Sequence, residues 1–423
     1  MSQTFQKDSQ YFKFCSYGFL KNLRFFDPFL FLFFLDKGLS FFEIGLLVSF
    51  REVMVYVMEI PAGIIADVLG RRKVMIFAFV SYIISFSVFF FANAFWLFML
   101  SFIFYGFGDA FRQGTHKSMI IDYLRLKGWK DQKTAYYGHT RSWSQIGSAV
   151  SSLVAAVIVV FTGDYQSVFI FSTIPYFLNL IMMTTYPKEL DGEIVRHKGS
   201  DLKENFRQVI RDLLTTFKNP AVLKTVGNLS FYTGFYKAIK DYLQPLLETI
   251  AVSMPLFLML QEKQRSAILI GIIFFFIHLT TAFASRIAGR FAKRFKTVAA
   301  PLNITLLSGF IFGLVAGICY SYDWFIAAAA LFVIVYAVEN LRKPIGISYL
   351  TDKIDPTVLS SSLSFQSLAE TLIAAAIAPV IGFVADRYSI GWGLIAVSAF
   401  MLIPAVLVRI NTKPSKGFKS SEG

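Results

Sequence analysis

The chain has 423 residues, 55% hydrophobic and 17% aromatic, with 48 Phe and a formal net charge of +14. No water-soluble core of this size hides so much apolar surface, so lipid is the implied solvent. The positive charge would suggest nucleic acid in a soluble protein, but here it falls between apolar runs and orients them. Cys15 and Cys319 lie in or beside apolar segments and offer neither a disulfide framework nor a metal spacing. The first apolar run is long, follows polar residues 1–10 and has no small-residue cleavage site after it, so no cleavable leader is expected.

Runs long enough to cross ~30 Å of hydrocarbon recur along the chain. The predicted spans 1–6 lie near 13–35, 41–67, 74–92, 95–124, 136–161 and 166–185. Spans 7–12 lie near 222–250, 264–289, 298–320, 324–350, 357–385 and 391–410. Each must be helical, because lipid offers no partner to an open backbone. The expected organisation is a first six-helix bundle (1–185), a linker (186–221), a second bundle (222–410) and a tail (411–423). Leu202, Phe206, Ile210 and Leu213 recur at helical spacing, which predicts an amphipathic helix in the linker.

Charge sets the orientation. Loops 68–73, 125–135 and 290–297 are basic, segment 186–224 carries eight Lys or Arg, and loops 91–94, 162–166 and 320–323 carry none. The positive-inside rule then puts both termini in the cytoplasm of a cell-membrane protein.

The two halves look like repeats. Gly18–Arg24 (GFLKNLR) aligns with Gly234–Lys240 (GFYKAIK), Asp109–Arg112 with Glu339–Arg342, Asp122 with Asp352, and Gly45 and Gly63 with Gly271 and Gly289. The matches keep the same order on corresponding spans, as in transporters built from parallel repeats.

Between spans 2 and 3 the chain runs Gly63-Ile-Ile-Ala-Asp67-Val-Leu-Gly70-Arg71-Arg72-Lys73. A glycine at 63 permits close helix packing, and one at 70 permits a tight turn. Asp67 and the basic triplet can make charge-assisted contacts. This resembles the cytoplasmic signature G-x-x-x-D-x-x-G-[RK]-[RK] of the major facilitator superfamily, an all-α membrane fold of twelve helices in two six-helix bundles. The resemblance implies an inner gate of Gly63, Asp67, Gly70, Arg71 and Arg72, with Asp122 and Arg141 as latch partners. In the second repeat Lys293 replaces the acidic residue, so the latch is expected on one half only.

Charges inside spans cost roughly 2.5–3.5 kcal/mol each on insertion scales, yet this chain carries many, so they must face water, one another or a ligand. Lys21 and Arg24 share a helix face, and Lys237 and Lys240 repeat that spacing. The resemblance implies that spans 1, 4, 7 and 10 line a central cavity. Lys21, Arg24, Arg112, Lys237, Lys240 and Arg342 would then form a cationic chamber, with Tyr17 and Tyr236 stacking on the solute. The bland reading pairs them internally: Arg24 with Asp27, Arg112 with Asp109, Arg342 with Glu339, Lys237 with Asp241.

No phosphate-binding G-x-x-x-x-G-K-[ST] is present, nor H-E-x-x-H or G-x-S-x-G, so neither ATP-driven pumping nor hydrolysis is expected. The function implied is secondary active transport of a small anionic organic solute by alternating access, as a monomer, without cofactor or metal, coupled to protons. The alternative is proton-coupled efflux of drugs or amphiphiles. Proton carriers would come from Glu59, Glu52, Asp27 and Asp109. Glu59 leads because no cation lies three or four residues away on either side and it precedes Pro61 in an apolar run; Arg51 is adjacent to Glu52 but expected on another helix face.

Overall fold

The computed structural model describes residues 6–113, 115–129, 132–191, 220–254, 257–353 and 356–411. The linker's expected amphipathic helix and most of the tail lie outside these residues. Among the described residues the helices make twelve crossings. Eight helices are long and apolar enough to cross a membrane on composition alone: spans 3, 5, 6 and 8–12. Spans 1, 2, 4 and 7 are broken or charged, and they bring charge to the centre of the molecule.

Three crossings are discontinuous. Span 1 comprises Ser9–Leu20 and Leu30–Asp36, with residues 21–29 in turns between them. Pro28 lies in that gap, where it lacks an N–H and its ring opposes the carbonyl four residues back. Span 4 comprises Phe95–Arg112 and Thr115–Leu126. Span 7 comprises Pro220–Ile239, a 3-10 turn at Lys240–Tyr242, and Leu243–Ser253, with Pro245 just inside the second helix. The remaining crossings are Phe41–Leu69 (span 2), Arg71–Phe91 (3), Lys133–Thr162 (5), Ser167–Thr184 (6), Glu262–Ala292 (8), Ala299–Ser321 (9), Phe325–Lys353 (10), Pro356–Arg387 (11) and Ile390–Leu407 (12).

Packing repeats between halves. In the first half spans 3 and 4, 2 and 4, 3 and 6, and 1 and 5 pack together; in the second, spans 9 and 10, 8 and 10, 9 and 12, and 7 and 11 do the same. Across the halves, span 2 packs on span 11 and span 5 on span 8, again a matching pair.

Among the described residues the polar contacts between the halves gather at the centre and at one end. At the face opposite the basic loops, Lys263 pairs with Asp36 at 2.5 Å, and the Tyr165 hydroxyl donates to Glu248 at 3.1 Å. There too, Asp386 of span 11 accepts the amides of Phe41 and Phe42 at the start of span 2, at 2.8 and 2.9 Å. That is a carboxylate capping a helix N-terminus from the other half. Glycines allow the close approach. A Cβ on Gly45 would lie 2.5 Å from the Ala378 carbonyl, and one on Gly271 2.5 Å from the Ala156 side chain. Near the basic face, Gly138 and Gly289 on spans 5 and 8 have no atom of the described residues within 4 Å of that position. Gly45→Ala and Gly271→Ala are therefore expected to reduce the population of this conformation, and Gly289→Ala to leave it unchanged. Distances between spin labels placed on the two halves measure this directly.

Candidate functional site

The breaks in spans 1 and 7 lie at matching positions and turn their charges into a central cavity of about 570 Å³. Interrupted helices at corresponding places in two repeats mark the binding region in many transporters. Span 1 contributes Asn22, Arg24 and Asp27, span 2 Arg51, Glu52 and Glu59, and span 7 Tyr236, Lys237, Lys240 and Asp241. Further polar groups come from span 4 (Tyr105, Asp109), span 5 (Gln145, Ser148, Ser151), span 8 (His278, Thr281) and span 11 (Ser367, Glu370).

Three ionic groups result. In the first half, the Arg112 guanidinium pairs with Asp109 at 2.5 Å, and the Tyr82 hydroxyl donates to the same carboxylate at 2.6 Å. Arg24 stands 3.8 Å from Asp109 and 3.9 Å from Asp27. Its one hydrogen bond among the described residues runs from Nε to the Tyr176 hydroxyl at 3.2 Å. The second group bridges the halves: Glu52 is held by Arg51 and by Lys237, each at 3.1 Å, and Lys237 is also 3.9 Å from Glu370. The third is Lys240 with Asp241 at 2.6 Å. Glu59 and Lys343 line the cavity with no ion-pair or hydrogen-bond partner among the described residues.

Several expectations are corrected by this geometry. Arg342 does not line the central cavity. It is buried in the second half, where it donates to the Leu302 carbonyl, Thr305 Oγ1 (2.7 Å) and the carbonyl and side-chain oxygens of Asn228 (2.9 Å each), and stacks over Tyr232. Nor does it pair with Glu339, which accepts from Thr233 at 3.1 Å. Tyr17 is buried behind the wall, its ring stacked on His116 at 3.5 Å. Lys21 and Arg112 do not line the cavity either. Lys237 pairs across the halves rather than with Asp241, and Arg51 and Glu52 do meet, because both long side chains curl into the cavity. The chamber is mixed rather than cationic: Arg24, Arg51, Lys237, Lys240 and Lys343 face Asp27, Glu52, Glu59, Asp109, Asp241 and Glu370.

At the basic face, Gly70 adopts φ +88°, the left-handed region that glycine enters without strain. Arg71 pairs with Asp122, which Arg125 also approaches at 3.5 Å. Asp191, not anticipated from sequence, accepts the Arg72 amide at 2.8 Å at the start of span 3, and the Arg72 side chain donates to the Tyr186 carbonyl at 3.1 Å. Arg141 is exposed and joins none of these contacts. Gly63 and Asp67 lie in the span 2 helix, but their side-chain positions fall outside the described set. All of these basic-face contacts are made within the first half.

A sequence profile of the Major Facilitator Superfamily matches residues 14–338, and the chain belongs to that superfamily. It is a multi-pass membrane transporter of this type. The chain is 22% identical over 409 residues to the uncharacterized MFS-type transporter YxaM of Bacillus subtilis (strain 168), covering 95% of each. It is 25% identical over 260 residues to Folate-like transporter 3 of Caenorhabditis elegans, covering 56% of this chain and 60% of that one. Among solved structures, the nucleoside transporter NupG (D323A mutant) superposes with a TM-score of 0.73 at 14% identity, covering 94% of this chain and 96% of that one. A POT family transporter in complex with 5-aminolevulinic acid gives 0.70 at 15% identity, covering 96% of each.

Proposed function

We propose that the protein is a proton-coupled secondary transporter that moves a small organic solute bearing a carboxylate or similar anionic group across the cell membrane by alternating access. Both termini are cytoplasmic in this reading, so the open basic face makes the structure an inward-open state. The observation that carries the cargo class is Arg24. It lines the cavity with its donors largely uncommitted, and the carboxylates that balance its charge stand beyond hydrogen-bonding distance. A solute carboxylate can take the place of Asp27, whose side chain is half exposed, and bind the guanidinium with two donors. Tyr56, Tyr105, Tyr236 and Tyr336 offer rings for the rest of the solute. The similar proteins differ in cargo, so the reading rests on this geometry and not on their names.

Glu59 is the favoured proton carrier. Glu52 and Asp109 are each paired with a cation within 3.1 Å, whereas Glu59 lines the cavity with no cation paired to it among the described residues. The alternative, proton-coupled efflux of amphiphiles, draws on the same aromatic wall and on the surplus of carboxylates. A thermal-shift screen of purified protein separates the two: organic anions are expected to raise the melting temperature and lipophilic cations to leave it unchanged. Stabilisation by lipophilic cations alone would overturn the anion reading.

A further inference from the structure

In a continuous α-helix the Phe31 amide would donate to the Asp27 carbonyl, four residues earlier. A side chain from the other half stands between them instead. Gln244 Oε1 accepts from the Phe31 amide at 2.8 Å, and Gln244 Nε2 donates to the Asp27 carbonyl at 3.0 Å. Gln244 is fully buried, in the first turn after the break in span 7. One carboxamide thus completes the interrupted ladder of span 1 from across the interface, and the Phe31 ring packs against Tyr242 beside it at 4.8 Å.

The local sequence codes for a different start to this helix. Asp27-Pro28 is an N-cap residue followed by the residue best suited to the first helical position. A helix begun there has, as its first internal bond, the Phe31 amide on the Asp27 carbonyl. The observed helix begins later, at Leu30, and the group occupying that first bond is Gln244.

We propose that Gln244 is a positioning residue that couples closure of the face opposite the basic loops to the geometry of Arg24 and Asp27. While the halves meet there, the inserted carboxamide holds span 1 unwound and Asp27 beside Arg24. When they part, Gln244 withdraws, and the Asp27 carbonyl and Phe31 amide are left to satisfy each other as the first bond of a helix. The helix then lengthens back to Pro28. The Asp27 carboxylate turns to cap the new first turn and moves away from Arg24. Gate and binding site share one two-state element. The inference rests on alternating access as read above and is indifferent to the cargo's charge.

The test uses spin labels at positions 94 and 322, in loops of the two halves on the closed face, with Cys15 and Cys319 buried and the protein free of solute. Gln244→Met keeps the length and apolar bulk but neither hydrogen-bonding group; Gln244→Asn keeps both groups on a stem too short to reach both partners. Each is expected to raise the ratio of separated to closed halves, by about five- to tenfold for Met and by less for Asn. In Gln244→Met, adding Asp27→Asn should preserve the shift, because Asn also caps helices, and adding Asp27→Ala should diminish it. Wild-type distributions in both Gln244 variants, or a shift indifferent to Asp27→Ala, would overturn the proposal. A single distance in every protein would overturn the alternating-access reading beneath it as well.

Discussion

Replacing Arg24 by lysine is expected to raise the apparent substrate constant ten- to a hundredfold although the charge is kept, and Arg24→Ala to abolish saturable transport. The guanidinium offers five donors in a plane, and among the described residues one of them is used, by Tyr176. A hydrogen bond to a charged group is worth about 1.5–3 kcal/mol, a lysine forfeits one of the two parallel bonds of the fork, and a tenfold change in affinity corresponds to about 1.4 kcal/mol. A lysine ammonium is a point charge that reproduces the field but not the fork. It would also leave the Tyr176 hydroxyl, which donates to the Lys21 carbonyl at 2.9 Å, without its second partner. Initial-rate uptake across a range of solute concentrations checks this; an unchanged constant in Arg24→Lys would place the anionic group elsewhere.

Glu59→Gln should eliminate solute accumulation driven by a pH difference in proteoliposomes while exchange at equal pH continues. A group that takes up and releases a proton in the cycle cannot be clamped by a fixed cation. Glu52 is clamped twice, by Arg51 and Lys237. Glu52→Gln is thus expected to weaken exchange and accumulation together, because it breaks the ion bridge between the halves. Unimpaired accumulation in Glu59→Gln, or accumulation that follows sodium, would remove Glu59 from the coupling step.

The crossings, the repeat and the Gly63–Lys73 turn were legible in the sequence because they follow from local composition and spacing. The direction of each charge was not. Arg24 and Arg342 occupy spans expected to face the cavity, yet one reaches it and the other points into its own bundle. What separates them is tertiary: Asn228 and Thr305 supply a polar socket behind span 10. The Arg51–Glu52 contact was missed because helical geometry describes Cβ directions, whereas long side chains bend toward a shared polar space. Gln244 gave no signal at all, since its partners are backbone groups more than 200 residues away. Aspartate followed by proline at 27–28 was the nearest clue, and it marks a helix start that this conformation does not use.

The socket around Arg342 also bears on the order in which the chain is made. Every partner of this guanidinium precedes it in sequence: Asn228 and Tyr232 on span 7, Leu302 and Thr305 on span 9. An arginine entering hydrocarbon alone costs roughly 2.5–3.5 kcal/mol on insertion scales. By the time the ribosome delivers span 10, the carbonyls, amide and aromatic face that receive it are already in the membrane. Arg24 has the reverse problem, because only Asp27 shares its crossing, while Asp109 and Tyr176 arrive three and five crossings after it. Until they do, the first crossing must hold its charge in the lipid headgroups or against the insertion machinery. Biogenesis of the first half is therefore the step at which neutral replacements at position 24 would ease entry into the bilayer while forfeiting the solute contact proposed for Arg24.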